Sequence, residues 1–211
     1  MPRTGERGGP RTRERIARIA SRLFLERGFD AVTVAEVARE AGVSSVTVFN
    51  HFPRKEDLFL DRAADASGVL LAALHDRTTG RDALDSLHAA ADDLAAHRHA
   101  LSGLAPLAAP FFRTVAASPA LIARAREVGF ELESTLAGEL ERDPGFDGDA
   151  ALLAALFIAG YRTVLVETAR RVLAGDPEEE LATDHRGRLD RLFAALRAGV
   201  SPGTARGATP S

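Results

Sequence analysis

Between residues 44 and 55 the chain gathers Ser44, Ser45, Thr47, Asn50, His51, Arg54 and Lys55. Hydroxyls and free backbone N–H groups at the start of a short helix can receive a phosphate or lie against base edges. The polar and basic groups that follow suit a phosphate backbone. Upstream, Arg3, Arg7, Arg11, Arg13 and Arg15 form a basic arm able to reach phosphates or a minor groove. A second set, Asp85-x-x-His88 with Asp92 and His97-x-His99, has the residue types of a metal site. Acidic and His residues on an exposed helix face are more often simply solvated. Other chemistries lack their residues. Cysteine is absent, which removes a disulfide framework, a thiolate nucleophile and a thiolate zinc site, and fits a reducing compartment. There is no Glu-x-x-His pair on two helices for a di-iron centre. There is also no phosphate-binding glycine loop and no nucleophile elbow. The sequence therefore supports no catalytic residue, no metal site and no cofactor, and an enzyme is not expected.

The elements that must position the residues at 44–55 are short helices. Ile16, Ile19, Ala20, Leu23 and Phe24 make one apolar stripe and predict a helix over Arg11–Arg27, ended by Gly28. Thr33-Val-Ala-Glu36 is a capping-box pattern that starts a second helix with Val34, Val37, Ala38 and Ala41 on one face, stopping at Gly42. Ser44 is an N-cap for a third helix, to which Val48, Phe49 and Phe52 bring apolar contacts before Pro53 breaks it. Residues 33–51 thus read as a helix-turn-helix: Ala38 is small where the helices cross, Gly42 takes a positive φ, and Val43 and Val48 pin the second helix on the first. Further helices are expected at Arg54–Leu74, Asp82–His97, Leu101–Ala117 with a break at Pro106 or Pro110, Pro119–Arg142, Asp149–Ala174 and Pro177–Gly199. The expected division is a disordered basic arm over 1–11, a helix-turn-helix domain over 12–56, a larger helical effector-binding and dimerisation domain over 57–199, and a disordered tail over 200–211.

Composition agrees with an all-α chain. Ala is the commonest residue, with one Tyr, no Trp and no segment alternating as a strand does. The net charge of −3 reads against a nucleic-acid partner until the chain is divided at residue 60. Residues 1–60 hold 11 Lys+Arg against 8 Asp+Glu, and residues 61–211 hold 16 against 22. A basic section on an acidic body points to nucleic acid or membrane contact at one end, with a merely solvated basic helix as the alternative. Arg supplies 26 of the 27 basic residues, which a GC-rich genome would explain, and Lys55 is the only Lys. No run of about 18 apolar residues and no apolar leader are seen, so neither a membrane span nor a secretory signal is expected.

The stretch TVAEVAREAGVSSVTVFNHFPRKEDL (33–58) resembles the DNA-binding signature of the tetracycline-repressor (TetR) family of bacterial transcription regulators. RERIARIASRLFLERGFDAVTV (13–34) is similar to that family's first helix and Gly-Phe turn. The resemblance implies that Thr33 caps the second helix and touches phosphate. It implies that Ser44, Ser45, Val46 and Thr47 face the groove, that Asn50 and His51 lie near the DNA backbone, and that Lys55 contacts phosphate. Two residues depart from the pattern. Val46 stands where Gly is frequent and directs a branched side chain toward a thymine methyl. Phe49 stands where Tyr is common and has no hydroxyl for a phosphate. For Thr33 and Ser44 capping alone is a sufficient reason; for Val48 and Phe49 core packing is the favoured one.

The resemblance also implies that the last two helices pair with those of a second subunit as a four-helix bundle. They carry Leu152, Leu153, Leu156, Phe157, Gly160, Val164 and Leu165, then Leu181, Leu189, Leu192, Phe193 and Leu196, with Ala159 and Gly160 permitting close approach. In a monomer the same residues would be core. Candidate lining residues for an effector pocket are His88, Leu104, Phe111, Phe112, Phe130, Phe157, Tyr161 and Arg162; for the Phe residues ordinary core is the alternative. Arg162, taken as buried, would need Glu131, Glu133, Glu167 or an acidic ligand as partner. The expected function is a ligand-responsive repressor, cytoplasmic and nucleoid-associated. It would bind a palindromic double-stranded DNA operator as a homodimer, respond to an unidentified small molecule and leave membranes alone. The rivals are a metal-dependent helical enzyme or metal sensor, and an adaptor that uses the helix-turn-helix to dock protein.

Overall fold

Ile16, Ala20 and Phe24 are fully buried one turn apart on a single helix face, the stripe expected of an amphipathic first helix. A computed structural model describes residues 9–77 and 81–200. Among these residues all regular structure is helical: α1 (Pro10–Arg27), α2 (Val34–Glu40), α3 (Ser45–His51), α4 (Ala63–His75), α5 (Ala83–Ala96), α6 (Ala108–Ala117), α7 (Pro119–Arg142), α8 (Ala150–Ala174) and α9 (Glu178–Val200). Single 3-10 turns occupy Glu56–Leu58 and Ala100–Ser102. The expected disordered segments lie outside the described residues, save that Gly9 is described as the residue before α1, Pro10 and Arg11 already belong to α1, and Val200 is the last residue of α9.

The chain forms two compact units. The first holds the chain to Ala64 together with Leu107–Val128, and the second holds Asp65–Pro106 and the chain from Gly129 onward. This differs from an expected boundary at 56/57, because α6 and the start of α7 join the first unit. Leu121 is completely buried in the core that Ile16, Phe24 and Phe52 also build. Phe111 stacks on Phe59 at 5.0 Å, and Arg124 Nε donates to Asp57 Oδ1 at 2.8 Å.

The continuous helix expected over Arg54–Leu74 is not formed. Asp57 Oδ2 accepts from the backbone N of Arg54, Leu58 and Phe59 turn into the core, and helix resumes only at Ala63. In the helix expected over Leu101–Ala117, the break comes at Gly103, with φ +73°, through Leu107. Pro110 lies in the first turn of α6, where a missing N–H leaves no helical bond unmade.

In the second unit Leu136, Leu140, Leu153, Ala154, Phe157, Leu189 and Phe193 form the core. Asp82 caps α5 and Asp149 caps α8, each carboxylate accepting from the backbone N three residues on. Gly160 has a different role from the one expected of it. A Cβ there would lie 2.2 Å from Leu192 Cδ1 of α9 in the same chain, so its smallness serves packing within the subunit. Helix α8 also departs from expectation. It is long and apolar enough to cross a membrane, with a window of mean hydropathy 1.6, of which 28% is buried.

His185 is completely buried on α9, and its Nδ1 lies 2.9 Å from Thr168 Oγ1 on α8. Thr168 gives its one hydroxyl hydrogen to the Val164 carbonyl at 3.0 Å, so Nδ1 is the donor to Thr168. Burial lowers the imidazole's pKa; Arg186 adds to this, while Asp184 and Asp92 oppose it.

Two outcomes follow from this packing. Gly160→Ala should destabilise the second unit by about 1–3 kcal/mol despite its better helix propensity, read as a lower denaturation midpoint. For His185 the folded pKa lies below the unfolded value of about 6.5, so the unfolded chain takes up the proton first. The stability linked to this group is complete above that value and is lost as the pH falls through it. The fall in thermal midpoint between pH 7.5 and 5.5 should therefore shrink in His185→Leu, and an unchanged fall would refute the assignment.

Candidate nucleic-acid interface

The first unit holds α3 by local and tertiary bonds. Thr33 and Glu36 form a complete capping box: Glu36 N donates to Thr33 Oγ1 at 3.2 Å, and Thr33 N donates to Glu36 Oε2 at 2.8 Å. The Thr33 amide and hydroxyl and the Arg27 guanidinium hold the Glu36 carboxyl down at about 2. Gly42 sits at φ +64°, in the left-handed region that favours glycine, and Val43 N donates back to Ala38 O at 2.9 Å. Ser44 then caps α3, its Oγ accepting from Thr47 N at 3.1 Å. Val48 and Phe52 face inward and are fully buried.

The outward side of α3 carries most of the expected residues. Ser44 and Asn50 are exposed, and Ser45, Thr47 and His51 are half-buried. The Ser44 and Thr47 hydroxyls lie 2.9 Å apart, and that bond uses one of their two hydrogens. Val46 is 69% exposed and Phe49 47% exposed. Phe49 therefore corrects the core reading. Val48 takes the inward direction, and the next residue lies about 100° further round the helix.

Thr33 is exposed at the start of α2, with its hydroxyl engaged in the cap. Lys55 is half-buried. Its ammonium donates to Phe29 O at 2.7 Å and lies 4.3 Å from the Phe29 ring centroid. Two of its three hydrogens remain for other acceptors. Sequence reasoning placed Arg11 and Arg15 in the basic arm but gave no role to Arg18, which is exposed with them on one face of α1. Their i, i+4, i+7 spacing was the available signal.

The eight pocket candidates are divided between the two units. Phe111 and Phe112 belong to the first unit, where Phe111 packs on Phe59 and its ring lies 5.6 Å from that of Phe112. Phe130 is 68% exposed on α7. Arg162 is exposed, which corrects the expectation of a buried cation needing a partner. Its apolar neighbours turn inward while it lies on the solvent side of α8. Leu104 is half-buried in the segment before α6. His88, Phe157 and Tyr161 do come together through Phe193. His88 stacks on Phe193 at 4.3 Å, and Phe157 lies 5.7 Å from Phe193 and 6.0 Å from Tyr161. Tyr161 donates its hydroxyl to Leu101 O at 3.3 Å, and burial raises its pKa. A separate cavity of about 330 Å³ is lined by Leu140, Phe146, Asp147 and Asp149, among others, and by none of the pocket candidates. Among the described residues no three His, Asp or Glu side chains are grouped to hold a metal ion. Asp85 pairs with Arg197, while His88 Nε2 lies 3.2 Å from Asp190 Oδ1.

Residues 16–61 match the family of bacterial regulatory proteins of the tetR type. The chain is 29% identical over 157 residues to the HTH-type transcriptional regulator TcmR of Streptomyces glaucescens, covering 73% of this chain and 70% of TcmR. It is 35% identical over 102 residues to the transcriptional repressor KstR2 of Rhodococcus jostii, covering 41% of this chain and 49% of KstR2. The fold is shared with SmeT, solved as a triclosan complex, at a TM-score of 0.58 and 21% identity over 95% of this chain and all of SmeT. TcmR and KstR2 are both named for transcriptional regulation. The capped helix-turn-helix lies inside the matched segment, and the chain thus carries the DNA-binding domain of the tetR family of bacterial regulatory proteins.

Proposed function

We propose that the chain is a cytoplasmic, ligand-responsive repressor that binds a palindromic DNA operator as a homodimer. The observation that carries the DNA reading is the outward face of α3. It offers hydroxyls, an amide and two apolar side chains, with no acidic residue, on a helix pinned by its capped turn. Base contacts from this face would specify sequence, while phosphate contacts would supply most of the affinity. Lys55 and the exposed Arg15 and Arg18 are the cations assigned to phosphate, and Thr33 at the start of α2 is a further phosphate contact.

The dimer reading rests on α8. Leu152, Leu156, Ala159, Thr163, Val166, Arg170 and Leu173 are all exposed and follow a four-three spacing, the seam of a helix paired with another helix. Leu152, Leu156, Val166 and Leu173 are each more than 40% exposed in the single chain, and a second copy would cover them. Two-fold symmetry would place two α3 helices on half-sites about one helical turn apart. Effector binding is read from the aromatic run His88, Phe193, Phe157 and Tyr161 inside the second unit, and from SmeT being solved with triclosan. A ligand favouring one arrangement of the dimer would shift its population away from the one that fits DNA.

Mobility shift on the protein's own upstream region tests the DNA reading; failure there, with no enriched genomic sites, refutes it. In the same assay Arg15→Ala/Arg18→Ala should leave the thermal midpoint unchanged and lower the slope of log affinity against log salt by about 1–2. Lys55→Ala should lower both the midpoint and the affinity for all sequences, because its ammonium also holds the Phe29 carbonyl. For the dimer, Leu156→Glu should elute at the monomer mass in size-exclusion chromatography with light scattering while keeping its helical circular dichroism. A dimer in that variant would refute the α8 seam.

A further inference from the structure

Among the described residues up to Ala64, the large apolar side chains left exposed are Val46 and Phe49. They stand at i and i+3 on α3, so they are neighbours on its surface. The inward positions are already filled by Val48 at 0% and Phe52 at 1% exposure, so the core does not call for either of them. An outward face needed only for solubility would be polar here, as Asn50 is.

We propose that Val46 and Phe49 form a two-point apolar reader of methyl-bearing bases, and so set the operator's sequence preference. This rests on the reading of α3 as the helix that enters the major groove. Of the four bases only thymine presents an apolar group there, the C5 methyl. Neither side chain can hydrogen-bond a phosphate or a base edge, so contact with DNA is favourable for them only where a methyl replaces water. Their Cβ atoms lie about 5–6 Å apart, and base pairs are spaced at about 3.4 Å. The two methyls therefore fall on base pairs one or two steps apart in each half-site. The polar groups beside them, Thr47 and Asn50, remain to read donor and acceptor edges of the neighbouring bases.

The test begins with selection of randomised duplex DNA on the full-length protein. Each thymine of the enriched half-site is then replaced by deoxyuridine, which removes only the methyl. One or two replacements, one or two base pairs apart, should weaken wild-type binding by about fourfold each, the worth of one buried methyl-sized group. Val46→Ala should lose the sensitivity at one of these positions and Phe49→Ala at the other. Both side chains are exposed, so both variants should keep the wild-type thermal midpoint. An enriched site that tolerates deoxyuridine at every position, or variants with unchanged sensitivity, overturns the methyl reader and leaves the DNA reading standing. No enriched sequence at all overturns the recognition role of α3, and the methyl reader with it.

Discussion

Helix α3 has seven residues, well below the roughly 12–15 that hold a helix together in water without support. Its presentation therefore depends on how it is seated. Val48 and Phe52 bury one side of it in the core of α1 and α2, and the Val43 to Ala38 backbone bond closes the turn that leads into it. Gly42 makes that turn possible, because its positive φ is costly for any side chain bearing a Cβ. Ser44 and Thr33 each satisfy free N–H groups at a helix start. Remove the seating, and the exposed face of α3 has no defined geometry to offer a groove.

Charge is arranged around that seat in two ways. Several cations are spent on the fold itself: Arg27 on Glu36, Arg22 on Glu40, and Lys55 on the Phe29 carbonyl. The exposed pairs among them contribute little stability each, since water screens them. Others, such as Arg15 and Arg18, are exposed and free to meet phosphate. The overall −3 thus hides a division of labour, with the basic excess beside the helix-turn-helix and the acidity elsewhere.

Much of the fold was legible because its signals are local. The Thr33–Glu36 box, the Ser44 cap and the apolar stripe of α1 each depend on residues within one or two turns, and they appear where the spacing puts them. The failures share the opposite property. The break after Leu58 goes with Leu58 and Phe59 turning into a core that Leu121 and Phe111, more than 50 residues on, also build. The packing role of Gly160 depends on Leu192, 32 residues on. Phe49 and Arg162 were assigned by residue type and by apolar neighbours in sequence, yet on a helix adjacent residues point in different directions, and both turn outward.

By itself the sequence determined the helical class, the position of the helix-turn-helix and the polar set that α3 carries, because periodicity, capping and turn chemistry act over a few residues. Only the tertiary structure decided which apolar residues stay out of the core. Burial is settled by what packs across from a residue, and that partner is distant in the chain. For that reason the outward turn of Phe49, and which residues of α8 stay exposed along its seam, became visible only once the cores of the two units were built.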